Sequence, residues 1–184
     1  LYSPAEAIWQ AAFHAVSGFN NAGFVALNEE SGMSAFQGDE VVLGTIGVLA
    51  LLGGISYWVM FDVVRYRRFS LFTLTTKLVL VMTGILFLTG ALVFFAFEYG
   101  NPATIGSMSL EEKLVTSAFE SLSGRTAGFT PVDFGETKQQ TNFFFTSLMF
   151  IGGASGSVAG GIKVNTFAIV LVAVLSTIRG RTHA

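Results

Sequence analysis

Two short segments of this chain combine glycine with small residues in a pattern that suits the binding of a dehydrated cation. The first covers residues 12–24 and the second covers residues 118–129, and both read Ala-Phe, then Ser-Gly, then Ala-Gly-Phe. An extended backbone through residues 22–23 or 127–128 exposes carbonyl oxygens, and such oxygens replace the hydration shell of an ion in potassium filters. A single Ala-Gly-Phe more commonly marks the C-cap of a helix, but its repetition favours a pair of filter segments.

A third glycine-rich segment lies inside the last apolar region of the chain. Residues 142–178 contain one charge, Lys163, and would form a helix about 55 Å long, against roughly 30 Å of hydrocarbon in a bilayer. Residues 152–161 include five glycines, and each lowers helix stability by roughly 1 kcal/mol relative to alanine. A close helix-packing surface is the alternative, but the excess length favours a break in the helix. Lys163 either caps backbone carbonyls or has a functional role.

The composition indicates that a bilayer is the solvent of this chain. Of its 184 residues, 52% are hydrophobic and 12% are charged, and the mean hydropathy is +0.63. The sequence has no cysteine and two distant histidines, which leaves little for a metal or catalytic centre. A net charge of −2 without a basic, aromatic stretch argues against nucleic-acid binding. We expect no cofactor in this chain.

Two further apolar runs are long enough to cross a membrane. Residues 41–61 and 78–97 carry no charge, and at 1.5 Å per residue each covers roughly 30 Å. The link at residues 62–77 holds four basic side chains and one acidic side chain, which predicts a cytoplasmic location. Arg179 and Arg181 follow the third apolar region and predict that the C-terminus lies on the same side.

A short helix is predicted before each filter segment. Residues 4–16 and 110–123 are too short to cross a membrane, and Pro4 and Ser109 suit the first turn and the N-cap of a helix. Each helix would enter the membrane partway and direct its negative carbonyl end towards a cation. The predicted fold is an all-α integral membrane protein with repeated units of span, re-entrant pore helix, filter loop and span, in which the last inner helix is broken by glycines.

The chain divides into two parts that differ in completeness. Residues 1–69 hold the end of one unit, namely its pore helix, filter loop and inner span. Residues 70–184 hold the complete next unit. Its predicted parts are the span at 78–97, the pore helix at 110–123, the filter loop at 124–130 and the broken inner span at 142–178.

These motifs resemble those of the Trk/Ktr/HKT potassium transporter superfamily, and they are most similar to the bacterial Ktr/Trk membrane subunit. Residues 17–24 and 123–129 look like the filters of its second and third repeats, and residues 152–163 look like its intramembrane gating loop. The resemblance covers essentially the whole chain. It implies four span–pore–span units around one pore, of which this chain is a part.

The resemblance also implies the ion and the residues that handle it. Potassium, in some members with sodium, would pass a filter with one glycine per repeat, and the glycine-rich segment would gate the cavity below. The implied filter residues are Asn20, Asn21, Ala22, Gly23, Thr126, Ala127 and Gly128, with potassium held by the backbone carbonyls of all of them except Asn20. The implied gate residues are Gly152, Gly153, Ala154, Ser155, Gly156, Ser157, Gly160, Gly161 and Lys163.

The partners implied by the resemblance are a bilayer, the remaining pore repeats of the same subunit, a second membrane subunit in a homodimer, and a cytosolic ring of nucleotide-binding regulators. The implied location is the bacterial cytoplasmic membrane, which the protein would cross several times. No nucleic-acid partner is expected.

Two functions of other classes remain open on the sequence alone. A carrier for small anionic solutes would grip its substrate with the N-termini of broken helices. A non-conducting membrane scaffold would use its glycines only for helix packing. An enzyme is disfavoured, because the sequence offers no Ser/His/Asp set, metal motif or paired intramembrane carboxylates.

Structural roles are expected for three side chains next to the filter segments. Arg125 is expected to tether the second segment, either by hydrogen bonds or by an ion pair with Glu120 or Asp133. His14 and Glu120 occupy equivalent positions in the two copies. For both, a surface position or the bracing of a loop is favoured over ion binding.

Overall fold

The computed structural model describes residues 3–27 and 32–180. Within these ranges the chain forms α-helices and two short 3₁₀ helices, at Gly32–Phe36 and Phe69–Leu71, and no β-strand. The all-α prediction is therefore confirmed. The α-helices are α1 (Pro4–Phe19), α2 (Glu40–Gly54), α3 (Tyr57–Tyr66), α4 (Leu74–Glu98), α5 (Leu110–Thr126), α6 (Gln139–Met149) and α7 (Val164–Ile178).

Helices α1 and α5 begin with the same capping arrangement. The carboxylate of Glu6 accepts from the N–H of Ser3, whose hydroxyl accepts from the N–H of Glu6. Ser109 and Glu112 repeat this reciprocal pair in α5, which confirms the predicted N-cap. The N–H and then the hydroxyl of Ser109 lower the pKa of Glu112, so the carboxylate stays charged at the positive end of the helix dipole.

Both short helices run further than the sequence predicts. Helix α1 ends at Phe19 rather than at residue 16, and α5 ends at Thr126, inside the loop predicted for residues 124–130. Gly124 lies inside α5 under an aromatic ring, where a Cβ atom would come within 2.7 Å of the Phe145 side chain. Here glycine serves close packing instead of a turn.

Helix α4 packs against α5 through a small-residue contact. A Cβ atom on Gly90 would lie 2.3 Å from the hydroxyl oxygen of Ser121, so an alanine there would separate the two helices. That hydroxyl donates to the Phe87 carbonyl at 2.6 Å. The contact fixes α5 against α4.

The apolar run at residues 41–61 is not one straight helix. Helix α2 ends at Gly54 and α3 begins at Tyr57, with a bend of 98° between them. The hydroxyl of Ser56 accepts from the N–H of Trp58 at 3.3 Å and so caps the new helix. The sequence suggested an unbroken span here because residues 41–61 carry no charge.

The last apolar region is broken in the structure. Helix α6 ends at Met149 and α7 begins at Val164, and the residues between them, 150–163, form an irregular segment that we call the gate segment. Its two ends are held together by an isolated bridge between Ile151 and Ile162.

Helix α4 is long and apolar enough to cross a membrane by itself, and the bent pair α2 and α3 would add a second crossing if it is one span. Helix α7 is apolar but shorter. Arg181, one of the two charges used to orient the C-terminus, lies outside the described residues.

A buried carboxylate joins α4 to the start of α6. Glu98 is fully buried, and its Oε2 accepts from Asn101 Nδ2 at 2.7 Å and from Thr104 Oγ1 at 2.9 Å. Its Oε1 accepts from the N–H of Lys138 at 2.9 Å and from the hydroxyl of Thr141. Both oxygens therefore face donors only, and the carboxylate caps the N-terminus of α6.

Replacing Glu98 by glutamine is expected to destabilise the fold by about 2 kcal/mol or more, because an NH₂ group would face two donors and leave them unpaired. The free energy of unfolding can be compared by thermal melting of the full-length protein in detergent. Glu136→Gln, at an exposed position near the same end of α6, is the control for the lost charge. Equal melting temperatures for the two variants would contradict the assigned role of Glu98.

Candidate ion filter and gate

The structure brings the two predicted filter segments into direct contact. Thr126 Oγ1 donates to Asn21 Oδ1 at 2.9 Å. A Cβ atom on Gly23 would lie 2.7 Å from the Ala127 carbonyl oxygen and 3.0 Å from Gly128 Cα. The two backbones thus approach to a distance that only glycine at position 23 permits.

The glycines of the two predicted filter segments adopt matching conformations. Gly23 has φ +71° and Gly128 has φ +80°, which side-chain-bearing residues rarely adopt. Each glycine follows the C-terminal end of a short helix, α1 or α5. The repeat seen in the sequence therefore extends to the backbone conformation.

A serine braces each filter segment from behind. Ser17 Oγ donates to the Phe24 carbonyl at 2.9 Å, and Ser123 Oγ donates in the same way to the Phe129 carbonyl. These serines are the Ser of the repeated Ser-Gly, which the sequence indicated only as the end of a helix. The recurrence of Ser seven or six residues before the Phe is the signal that would have revealed this bond.

The two copies differ at the residues just before the glycine. Asn20 is the C-cap of α1, and its side chain turns back to the Val16 carbonyl, away from the second segment. Asn21 takes a left-handed conformation with φ +51° and donates through Nδ2 to the Ala50 carbonyl in α2 at 3.1 Å. Asn21 thus joins the first filter segment to both the second segment and α2.

His14 and Glu120 are buried behind the filter segments and brace the backbone that follows them. His14 Nε2 accepts from the N–H of Ala26 at 3.3 Å, so Nδ1 carries the proton that it donates to the Gln10 carbonyl at 2.7 Å. Glu120 Oε1 accepts from the Thr130 hydroxyl at 2.7 Å. The surface alternative is wrong for both residues, since they are 7% and 0% exposed.

The gate segment is closed at its base by backbone hydrogen bonds. The N–H of Gly152 donates to the Ile162 carbonyl at 2.8 Å, and the N–H of Ile162 donates to the Phe150 carbonyl at 3.0 Å. A Cβ atom on Gly152 would lie 1.6 Å from the Gly160 carbonyl oxygen. Glycine at position 152 is therefore required for the observed closure.

The tip of the gate segment caps the end of α2. The N–H of Ala154 donates to the Gly54 carbonyl at 2.9 Å, and the N–H of Val158 donates to the Gly53 carbonyl at 3.3 Å. On its other side, Gly53 touches the first filter segment, where a Cβ atom would lie 1.7 Å from the Phe19 carbonyl oxygen.

All the predicted gate residues lie in this one segment. Lys163 caps the Ala159 carbonyl with its ammonium group, which is the simpler of the two roles expected for it. Ser157 Oγ donates to the Ala154 carbonyl at 2.7 Å, and Ser155 is exposed. Gly156 and Gly161 have φ +79° and +74°, so they form the turns of the segment.

Arg125 connects the second filter segment to the gate segment. Its Nη2 donates to the Gly152 carbonyl at 2.8 Å. Of the two tethers expected for Arg125, the hydrogen bond is therefore the one observed. Glu120 Oε2 has no partner among the described residues, and Asp133 Oδ1 accepts from the N–H of Gly135.

A cavity of only about 20 Å³ lies where the filter segments, α2 and the gate segment meet. Its lining includes Asn21 and Thr126 from the filter, Gly54 from α2, Gly153 from the gate segment and Arg125. This volume is close to the minimum that holds one water molecule. At Gly153 the gate segment therefore lies close to the filter segments, whereas a larger cavity of about 380 Å³ is lined by Thr126 and Gly128 together with Gly160 and Gly161.

The chain is similar to known proteins over nearly its whole length. The family model described as TrkH, a cation transport protein, matches residues 3–184. Ktr system potassium uptake protein B of Bacillus subtilis is 42% identical over 180 residues, which cover 98% of this chain and 40% of that protein. Its counterpart in Vibrio alginolyticus is 37% identical, with 96% of this chain and 39% of that protein covered. The chain thus spans about two fifths of these relatives.

The fold is also that of a solved structure. The crystal structure of the potassium transporter TrkH from Vibrio parahaemolyticus matches with a TM-score of 0.73 at 19% sequence identity. The match covers 96% of this chain and 37% of that one.

Proposed function

Because the chain belongs to the TrkH family of cation transport proteins, we propose that it is the central part of a membrane subunit for potassium uptake, with sodium as a second possible ion. The observation that carries this proposal is the contact between two glycine-bearing segments of equal conformation at the ends of two short helices. Backbone carbonyls in such segments replace the hydration shell of a monovalent cation.

The helix ends around the site favour a cation over an anion. Helices α1, α5 and α2 all end beside it, at Phe19, Thr126 and Gly54. The C-terminal end of a helix carries a partial negative charge. A carrier for anionic solutes would need N-termini at this place.

Each proposed site residue has a role in this reading. The carbonyls of Asn21, Ala22 and Gly23 and those of Thr126, Ala127 and Gly128 would hold potassium, with Asn20 as the cap before them. Residues 152–163 would act as the gate. Residues 1–69 would be the end of one pore repeat and residues 70–184 the next repeat.

The full protein would need further parts to close a pore. We propose that the remaining repeats of the same subunit complete the ring, that two such subunits pair, and that a cytosolic nucleotide-binding ring controls the gate. The protein would cross the cytoplasmic membrane several times, with residues 62–77 and the C-terminus on the cytoplasmic side, in line with the basic charges there.

The proposal is tested by uptake of rubidium-86 into proteoliposomes that hold the full-length protein and are loaded with potassium. Accumulation without any organic solute, and its competition by external potassium, are expected. If uptake starts only when an anionic solute is added, the protein is a carrier. The absence of uptake from a correctly folded, activated protein would leave the scaffold function.

A further inference from the structure

We infer that Arg125 is a positioning residue that couples the gate segment to the second filter segment and holds the gate in its observed position. This inference rests on the proposed function, since it assigns a means of control to that same site. Arg125 lies in the last turn of α5, next to Thr126 at the start of the filter segment. Its hydrogen bond to the Gly152 carbonyl reaches the base of the gate segment.

The burial of Arg125 argues for a role beyond packing. The residue is 8% exposed, and its Nε has no partner among the described residues. A buried guanidinium is costly unless it is well paired, so an apolar side chain would serve a purely structural purpose better. The bond that it does make joins two segments that are 27 residues apart.

The position of the bond explains how it would act. Gly152 closes the base of the gate segment through its own N–H, and no other residue fits there. Its carbonyl is therefore fixed as long as the segment is closed. If the gate segment moves out of its observed position, the guanidinium loses the Gly152 carbonyl as its acceptor. The end of α5, which carries the second filter segment, is then no longer held by this bond. Movement at the gate and order in the filter would thus be linked.

The link is tested with Arg125→Gln in the full-length protein. Lys113→Gln is the matched control, because Lys113 lies in the same helix, is 7% exposed and donates to a carbonyl outside the gate segment, that of Tyr99, at 3.0 Å. Two readouts are needed. One is rubidium-86 uptake without activator, and the other is the rate at which a water-soluble thiol reagent modifies Ala154→Cys in a cysteine-free background.

Ala154 is suited to the thiol readout because it is only 1% exposed while its N–H donates to the Gly54 carbonyl, that is, while the gate segment is in its observed position. A charge-assisted hydrogen bond of this kind shifts an equilibrium by about tenfold to a hundredfold. Arg125→Gln is therefore expected to raise both the modification rate and the unactivated uptake by that factor, and Lys113→Gln is expected to raise neither.

Unchanged rates in Arg125→Gln, or an equal rise in Lys113→Gln, would overturn the coupling. Either result can be obtained while the unmodified protein still takes up rubidium, so a failure of this inference is distinct from a failure of the proposed function. The thiol readout does not depend on transport at all.

Discussion

Replacing Gly23 by alanine is expected to abolish the discrimination between potassium and sodium in the full-length protein. The new methyl group would lie 2.7 Å from the Ala127 carbonyl oxygen and 3.0 Å from Gly128 Cα, and both are backbone atoms that cannot rotate away. Alanine at φ +71° adds a cost of roughly 1–2 kcal/mol. Both filter segments must therefore move apart, which displaces the carbonyls of each.

The measurement is rubidium-86 uptake in competition with sodium and with potassium. Gly84→Ala in α4 is the control, since a Cβ atom there would meet nothing within 4 Å. Gly128→Ala is expected to have a smaller effect than Gly23→Ala, because its nearest contact, Gly23 Cα at 3.4 Å, is ordinary and only the φ of +80° is strained. Retained selectivity in Gly23→Ala would show that these segments are not the filter.

The second large effect is expected from Gly152→Ala in the gate segment. The methyl group would overlap the Gly160 carbonyl oxygen at 1.6 Å, so the closed base of the segment cannot form. If the segment is the gate, uptake without activator should rise by at least about tenfold, since 1.4 kcal/mol already changes an equilibrium by that factor. A smaller change in selectivity should accompany it, because loss of the closed base also moves the Gly152 carbonyl that Arg125 binds beside the second filter segment.

Gly160→Ala offers a control within the same segment. This variant carries the same Gly-to-Ala substitution eight residues further along the chain, but a Cβ atom on Gly160 would meet nothing within 4 Å. Its unactivated uptake should match that of the unmodified protein. The gate assignment fails if Gly152→Ala, shown by gel filtration to be folded, stays as inactive without activator as Gly160→Ala.

The elements that the sequence predicts best are those that carry a repeated or periodic signal. The all-α fold, the short helices before the glycines and the N-cap at Ser109 follow from such patterns. The two segments could be recognised without an alignment, because Ala-Gly-Phe occurs twice in the same context, but their direct contact was not predicted. The break in the last apolar region followed from its length and its glycines.

What escaped prediction depends on contacts between distant parts of the chain. The bend between α2 and α3 is stabilised by the gate segment, some hundred residues away, so no local pattern reports it. The partner of Arg125 is a backbone carbonyl, which has no sequence signature. The acidic residues Glu120 and Asp133, in contrast, could be named from the sequence as ion-pair candidates. Gly124 illustrates the opposite problem, since its sequence suggests a helix end, whereas in the structure it lies within α5 and makes room for Phe145.

The capping of α2 by the gate segment has a consequence for water. While the segment is in place, the carbonyls of Gly53 and Gly54 are bonded to the N–H groups of Val158 and Ala154. If the proposed gate opens, both sets of groups need new partners, and water in the proposed ion pathway can supply them. Opening would then take up water molecules, so the osmotic strength of the surroundings would be one of the quantities that set how often the pathway is open.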